Sequence, residues 1–137
     1  MINSRKIEDL TPDTQAKCRN FEELCSLANI DVLITSTYRD NESQAVLYAQ
    51  GRTGPGKKVT NAGSGHSWHN HRVAFDFVPI VAGKAIWDDN KLWATCGAIA
   101  NECGLEWGGN WKFSDKPHCQ NTQGKTIQDA LAGAKFA

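Results

Sequence analysis

The sequence contains no long hydrophobic run, and no stretch approaches the ~20 consecutive apolar residues that a membrane-spanning helix requires. It also lacks an excess of charge, because 15 lysines and arginines balance 15 aspartates and glutamates. Proteins that bind nucleic acid or anionic membranes usually carry a basic excess, since phosphate contacts dominate their affinity. These absences exclude a membrane span and argue against DNA, RNA and anionic lipid as main partners.

The first ten residues, MINSRKIEDL, lack the apolar segment of a secretory signal peptide. We therefore expect synthesis in the cytoplasm, and work outside that compartment would need a separate route of release. No Cys-x-x-Cys pair occurs among the five cysteines, which disfavours a cysteine zinc knuckle. Two cysteine pairs, 18 with 25 and 96 with 103, are spaced by seven residues, which places each pair on one helix face and predicts core thiols in a reducing compartment.

A chain of 137 residues that is 40% hydrophobic suits a single domain over residues 1–137. Capping residues and apolar periodicity predict helices interspersed with short strands, and therefore an α+β fold. The helices should begin near Thr11, Asn41, Asp89 and Thr126, and the strands should cover 30–35, 73–80, 105–107 and 117–120. Between them, residues 51–66 hold five glycines and one proline and form a long loop of the kind that is often functional.

The stretch GHSWHNHRVAFDF, residues 65–77, concentrates three of the four histidines and ends on an aspartate between two phenylalanines. If His69 precedes the strand and Asp76 lies within it, both side chains can face one cleft. Imidazole nitrogens and carboxylate oxygens are ordinary zinc ligands. Because burying an unpaired carboxylate is costly, Asp76 needs a partner, which leaves a metal site and an ion pair with an arginine both open.

A second group of polar side chains lies in WGGNWKFSDKPHCQ, residues 107–120. His118 as a third ligand would complete a His/Asp/His site with an open fourth position, which is the mark of a catalytic zinc. Asp115 would then stand beside the metal without binding it and could accept a proton from water. Taken alone, this stretch also fits an ordinary polar histidine in a loop.

Three segments together resemble the VanY-like D-Ala-D-Ala carboxypeptidases and L-alanyl-D-glutamate endopeptidases. SWHNHRVAFD, residues 67–76, is similar to their S-x-H-x-x-G-x-A-x-D motif, and WGGNW…DKPH, residues 107–118, is similar to their second motif. TSTYRDNESQAVLYAQGR, residues 35–52, resembles the strand and helix that carry an arginine in that family. The resemblance runs from about residue 34 to residue 120.

The resemblance implies a hedgehog/DD-peptidase-like fold, in which helices flank a small central antiparallel sheet. It implies a Zn²⁺-dependent peptidase in which zinc-bound water attacks an amide of the bacterial peptidoglycan stem peptide. The implied zinc ligands are His69, Asp76 and His118, the implied general acid/base is Asp115, and Arg39 and Ser67 are implied to bind substrate.

Within that family we expect an L-alanyl-D-glutamate endopeptidase of the phage or prophage endolysin kind, acting as a monomer on the cell wall after holin-type release. The alternatives are a D-Ala-D-Ala carboxypeptidase and a non-catalytic zinc-binding module of the cell wall. A module that only binds has no evident need for an acid at position 115.

Four residues depart from the family pattern: Arg72 replaces glycine, and His71, Asn110 and Cys119 replace an aromatic, an acidic and a bulky apolar residue, respectively. None of them removes an implied ligand or the implied acid. His71 also forms an H-x-H pair with His69, and if both lay on a strand they would share a face, so direct ligation by His71 stays open. For His66 and His71 we favour a hydrogen-bonding role in the groove.

Overall fold

The computed structural model describes residues 1–137 and contains four α-helices and one antiparallel sheet of five strands. The helices are α1 (Pro12–Leu27), α2 (Asn41–Ala49), α3 (Asn90–Glu102) and α4 (Ile127–Leu131). The strands are β1 (Asp31–Ser36), β2 (Ala74–Val81), β3 (Lys84–Ala85), β4 (Glu106–Trp107) and β5 (His118–Gln120). The predicted α+β architecture is therefore confirmed, with the element boundaries shifted by one or two residues.

The helices begin where polar capping residues stand in the sequence. The Asp40 carboxylate accepts a hydrogen bond from the backbone N–H of Ser43 at 2.8 Å, and Thr126 caps α4 in the same way. Thr11 behaves differently, because its hydroxyl donates to the Thr14 hydroxyl at 2.9 Å instead of accepting from the backbone. The proline that follows it starts α1 without such a cap, since it has the backbone φ of a helix and lacks one of the N–H groups that a cap would otherwise satisfy.

The sheet has the strand order β1-β2-β5-β4, and β3 pairs with the end of β2. Helices α1 and α3 pack on one face of this sheet and bury a core that contains Phe75, Phe77, Trp107 and Cys119. Because neighbouring residues of a strand point to opposite faces, Asp76 and His118 are directed away from this core. The opposite face is therefore polar where these two side chains lie next to each other on β2 and β5.

All five cysteines are buried free thiols within the hydrophobic core. Both members of each predicted pair, 18 with 25 and 96 with 103, are buried in this core, as their spacing of seven residues predicts. None of the helices combines the length and the apolar character that crossing a lipid bilayer demands.

Gly97 lets α3 approach the segment that carries the candidate site. A methyl group at this position would lie 2.1 Å from the Trp107 indole, whose N–H donates to the carbonyl of Lys116 at 2.7 Å. We expect Gly97→Ala to lower the free energy of unfolding by about 2 kcal/mol, because overpacking outweighs the better helix propensity of alanine. Urea denaturation followed by circular dichroism measures this change.

Ala98→Gly is the matched control, because residue 98 is exposed on the same helix. It should cost about 1 kcal/mol through helix propensity alone. A Gly97→Ala protein more stable than wild type would contradict the close packing of α3 on Trp107.

Candidate active site

Asp76 and His118 are direct cross-strand partners in the register of β2 and β5. Their side chains therefore lie side by side on the polar face of the sheet. His69 reaches the same point from a 3-10 turn, Trp68–His71, which precedes β2. The three side chains come from two strands and one turn, so their proximity depends on the tertiary fold.

The turn that carries His69 is held by a reciprocal cap. The Ser67 hydroxyl accepts from the His69 backbone N–H at 3.2 Å, and the Asn70 side chain accepts from the Ser67 N–H at 3.1 Å. The Asn70 amide also donates to the carbonyl of Arg39 at 2.8 Å, which joins the turn to the segment between β1 and α2. This network fixes the backbone on which His69 stands.

The other histidines of the stretch take separate positions. The premise that His69 and His71 share a strand face is wrong, because both lie in the 3-10 turn, and the His71 Nε2 contacts the carbonyl of Gly65 at 2.8 Å. The His66 Nδ1 contacts the carbonyl of Ser64 at 3.1 Å, and its side chain borders the cleft. Both therefore contact backbone carbonyls, as a hydrogen-bonding role predicts, but only His66 lies in the lining of the cleft.

Arg72 ends the turn with a left-handed backbone, φ 64°, at the position where the family motif has glycine. Its guanidinium stacks on the Tyr38 ring, 3.8 Å from the ring centre, and donates to the carbonyl of Asp9 at 2.9 Å. The backbone turn that glycine would favour is therefore kept, and side-chain contacts offset the cost of the left-handed conformation.

Donor atoms of His69, Asp76 and His118 lie within 4.8 Å of one another. The Asp76 Oδ1 is 3.2 Å from the His69 Nε2 and 3.4 Å from the His118 Nδ1. Two ligands of a tetrahedral zinc, each ~2.0–2.2 Å from the ion, are separated by roughly 3.4 Å. The spacing of these donors fits one small divalent cation.

The outer nitrogens of both rings are engaged, which determines what the inner nitrogens offer. The His69 Nδ1 donates to the carbonyl of Thr37 at 2.8 Å, and the His118 Nε2 contacts the amide oxygen of Gln120 at 2.8 Å. A neutral ring that donates through one nitrogen presents a lone pair on the other. When both rings are neutral, their lone pairs face the Asp76 carboxylate, an arrangement that a cation at their centre would satisfy. A ring that takes up a second proton donates it to Asp76 instead.

The pKa values of these groups shift as expected for a site that favours positive charge. Burial works against ionisation of Asp76, but hydrogen bonds from His118 and His69 hold its pKa well below the usual range. Burial also opposes protonation of His118, yet the hydrogen bond and negative charge of Asp76 raise its pKa overall. The ion pair with an arginine that remained open for Asp76 is not formed, since both of its ion-pair partners are histidines.

Asp115 borders the same cleft without belonging to the group of three donors. Its backbone N–H donates to the carbonyl of Gly108 at 2.9 Å, and its carbonyl accepts from the His118 N–H at 3.2 Å. Partial removal from water raises the pKa of Asp115, and the charge of Asp76 adds to this effect while the positive charge of His118 opposes it. The arrangement suits a carboxyl that exchanges protons near the three donors.

Arg39 and Ser67 also line the cleft. The Arg39 guanidinium donates to Gln44 at 2.9 Å and to Ser36 at 3.3 Å, while its buried Nε has no hydrogen-bond partner. Burial lowers the pKa of Arg39, and the negative charge of Asp76 opposes that effect. An arginine keeps its charge at neutral pH, so the cleft contains a fixed cation close to Asp76.

The cleft has a volume of about 430 Å³ and is bounded by the long loop and by two tryptophans. Val59 and Thr60 of the loop form part of its wall, together with Trp68 and Trp111. Trp107, the third tryptophan close to the candidate ligands in sequence, is instead buried in the core. A cleft of this size accommodates a short peptide segment.

Sequence reasoning identified all residues of the central group but missed those that orient them. Asn70, Gln120 and Thr37 hold the turn or the outer nitrogens of the rings. The serine three residues before Asn70 resembles a capping box and could have indicated Asn70, and the i, i+2 spacing within a strand could have indicated Gln120. No local signal connects Thr37 with His69, because the two residues are 32 positions apart in the chain.

Comparison with known proteins places this sequence and fold among peptidases. A family model described as D-alanyl-D-alanine carboxypeptidase matches residues 60–121. The chain is 37% identical over 122 residues to the peptidoglycan L-alanyl-D-glutamate endopeptidase CwlK of Bacillus subtilis, an alignment covering 82% of this chain and 73% of that protein. It is 32% identical over 121 residues to the L-alanyl-D-glutamate peptidase of Listeria phage A118, covering 83% of this chain but 38% of the phage protein.

A solved structure of the vancomycin-resistance D,D-pentapeptidase VanY, an E175A mutant with Zn(II), shares the fold with a TM-score of 0.61 and 12% identity over 89% of this chain and 83% of that chain. Fold and sequence thus define this chain as a peptidase. It belongs to the family of the VanY-like D-Ala-D-Ala carboxypeptidases and L-alanyl-D-glutamate endopeptidases, which confirms the resemblance found in its sequence.

Proposed function

We propose that this peptidase is a zinc-dependent peptidoglycan hydrolase that cleaves the L-alanyl–D-glutamate bond of the stem peptide. The observation that carries the proposal is the convergence of donor atoms from His69, Asp76 and His118 beside Asp115 in one cleft. The choice of bond is supported by the Bacillus relative, which is 37% identical and has this activity in its name. The zinc content of the VanY structure supports the choice of metal.

In this proposal the metal is held by His69 through Nε2, by Asp76 through Oδ1 and by His118 through Nδ1. When bound, zinc would act as a Lewis acid and make water a nucleophile near neutral pH. The hydrogen bond from the His69 Nδ1 to the backbone keeps the lone pair of that ring directed at the site. The residues of the chain therefore offer three ligands and leave one position for substrate or water.

The remaining cleft residues handle protons and developing charge. Asp115 takes a proton from the attacking water and delivers it to the leaving amine, because its carboxylate borders the cleft beside the three donors without being one of them. The Arg39 guanidinium stabilises the negative charge that develops on the carbonyl oxygen as the amide is attacked. The Ser67 hydroxyl, which accepts from the His69 N–H, is left free to donate a hydrogen bond to the substrate.

We further propose a phage or prophage endolysin role, in which the monomeric protein is made in the cytoplasm and reaches the wall after holin-type release. The relative in Listeria phage A118 supports this role. The chain spans 38% of the length of that phage protein, so the similarity concerns only this part of it.

A D-Ala-D-Ala carboxypeptidase is the second candidate, because the matching family model carries that description. A non-catalytic wall-binding module is less well supported, since it gives Asp115 no task in the cleft. The two enzymatic candidates differ in the terminus they create, which an analysis of digestion products can distinguish.

Digestion of purified peptidoglycan, followed by mass spectrometry of the soluble products, tests the proposal. We expect new peptides whose amino terminus is D-glutamate, and a loss of all products when the protein is pretreated with a chelator. Release of single D-alanine residues would favour the carboxypeptidase. Binding to the wall without new termini, despite a full complement of zinc, would favour the binding module.

A further inference from the structure

A row of three polar side chains leads from the candidate metal site to the edge of the sheet. The His118 Nε2 is 2.8 Å from the Gln120 Oε1, and the Gln120 Nε2 is 3.1 Å from the Glu106 Oε2. The second carboxylate oxygen of Glu106 accepts from the Thr122 hydroxyl at 3.3 Å. These contacts run along the polar face of β5 and cross to β4.

The sheet register brings these side chains together. His118 and Gln120 are two residues apart on β5 and share a face, and Glu106 of β4 is the direct cross-strand partner of Gln120. His118 and Gln120 are buried, whereas Glu106 is exposed at the edge. The row therefore connects a buried imidazole with a carboxylate that faces solvent.

Hydrogen-bond chemistry gives this row a direction. A carboxylate can only accept, so Glu106 requires the NH₂ end of the Gln120 amide and turns its carbonyl oxygen toward His118. That oxygen also only accepts, so the proton of the neutral His118 ring resides on Nε2. The lone pair is then on Nδ1, the atom that lies 3.4 Å from Asp76.

The opposite orientation of Gln120 would place its carbonyl oxygen against the Glu106 carboxylate at about the same 3.1 Å separation. Two acceptors at this distance repel each other, and the His118 Nε2 would then face an NH₂ group. That partner would favour a lone pair on Nε2 and a proton on Nδ1, which removes the donor needed beside Asp76.

The two candidate histidine ligands differ in what determines their tautomer, and His69 does not need the row of side chains described above. Its outer nitrogen bonds the backbone carbonyl of Thr37, which is an acceptor whatever the side chains are. The corresponding partner of His118 is an amide that accepts or donates according to its orientation. Only His118 therefore depends on a further side chain for its tautomer.

We infer that Glu106 is a positioning residue, which acts through Gln120 to hold His118 in the Nε2-protonated form that binds metal through Nδ1. This inference rests on the metal site of the proposed function. Partners of this kind typically change metal affinity by about 10- to 100-fold when they are removed. Glu106 belongs neither to the lining of the cleft nor to the group of three donors, so we expect it to act only by orienting Gln120 and His118.

Zinc affinity, measured by competition with a chromophoric chelator, tests the inference. We expect Glu106→Gln to weaken binding about 10-fold, because its amide accepts either orientation of Gln120, and Gln120→Leu to weaken binding by roughly 10- to 100-fold. Glu102→Gln is the matched control, since Glu102 is an exposed glutamate at the end of α3. It should bind zinc as tightly as wild type.

Nuclear magnetic resonance of the ¹⁵N-labelled zinc protein provides a second readout. The proton on the His118 Nε2 should exchange faster with water in both variants, while the proton on the His69 Nδ1 stays protected. If Glu106→Gln and Gln120→Leu matched the Glu102→Gln control in zinc affinity and in the exchange rate of the His118 Nε2 proton, the inference would be overturned and the proposed function would stay intact. A wild-type protein that binds no zinc would overturn both.

Discussion

Replacing Asp115 by asparagine should lower peptidoglycan cleavage by about 10²- to 10⁴-fold, the range that general acid–base catalysis contributes. Asparagine has the shape of aspartate but cannot accept a proton from water or pass one to a leaving amine. The backbone of residue 115 holds its place through hydrogen bonds with Gly108 and His118, which the substitution leaves intact. The lost activity would thus arise from the missing carboxylate.

Zinc content and thermal stability distinguish this role from metal binding. Because Asp115 is not among the three converging donors, the asparagine variant should retain about one zinc per chain, as expected for a three-ligand site. Asp88→Asn is the matched control, an exposed aspartate in the turn before α3, and should cleave as wild type does. Loss of zinc from Asp115→Asn would make the residue a ligand, and cleavage within a few-fold of wild type would remove it from the mechanism.

The position of Asp115 also depends on the glycine pair that precedes it. A methyl group on Gly108 would lie 2.4 Å from the Asp115 carbonyl oxygen, so this turn closes only without a side chain. The adjacent Trp107 indole anchors the other end of the segment through the carbonyl of Lys116. The motif WGGNW therefore contributes to the site through its backbone packing, because it holds Asp115, three residues before His118, at the edge of the cleft.

The features that could be predicted from the sequence are those that local interactions determine. Asp40 and Thr126 start helices because their side chains satisfy nearby backbone N–H groups, a contact that spans three residues. The alternation of Phe75, Asp76 and Phe77 likewise separates a core face from a polar face within one strand. These local patterns therefore predicted where helices and strands lie and which face of a strand carries a candidate ligand.

Long-range pairing was beyond local reasoning. No local pattern specifies that β5 pairs with β2, which is what makes His118 the direct neighbour of Asp76. The 3-10 turn at residues 68–71 was also missed, because its cap uses asparagine and its end is an arginine in the left-handed region. The family resemblance supplied the pairing of the two motifs that spacing alone left open.

Removing the Asp76 carboxylate should abolish zinc binding. In Asp76→Ala the two imidazoles lose the anion that lies 3.2 and 3.4 Å from their inner nitrogens, and two neutral ligands remain. Zinc content should fall from about one ion per chain to near zero after dialysis, because a catalytic site needs three protein ligands. Asp31→Ala is the matched control, since Asp31 is an exposed aspartate on the neighbouring strand β1.

Thermal unfolding checks the same prediction without any measurement of activity. A ligand that binds only the folded protein at about 1,000 times its Kd stabilises it by about 4 kcal/mol, or roughly 12 °C for a chain of this size. Zinc should therefore raise the Tm of wild type and of Asp31→Ala, while the Tm of Asp76→Ala stays unchanged. If zinc raised the Tm of all three proteins equally, the ion would be bound elsewhere, and the two imidazoles and the carboxylate would have to be held together by protons alone.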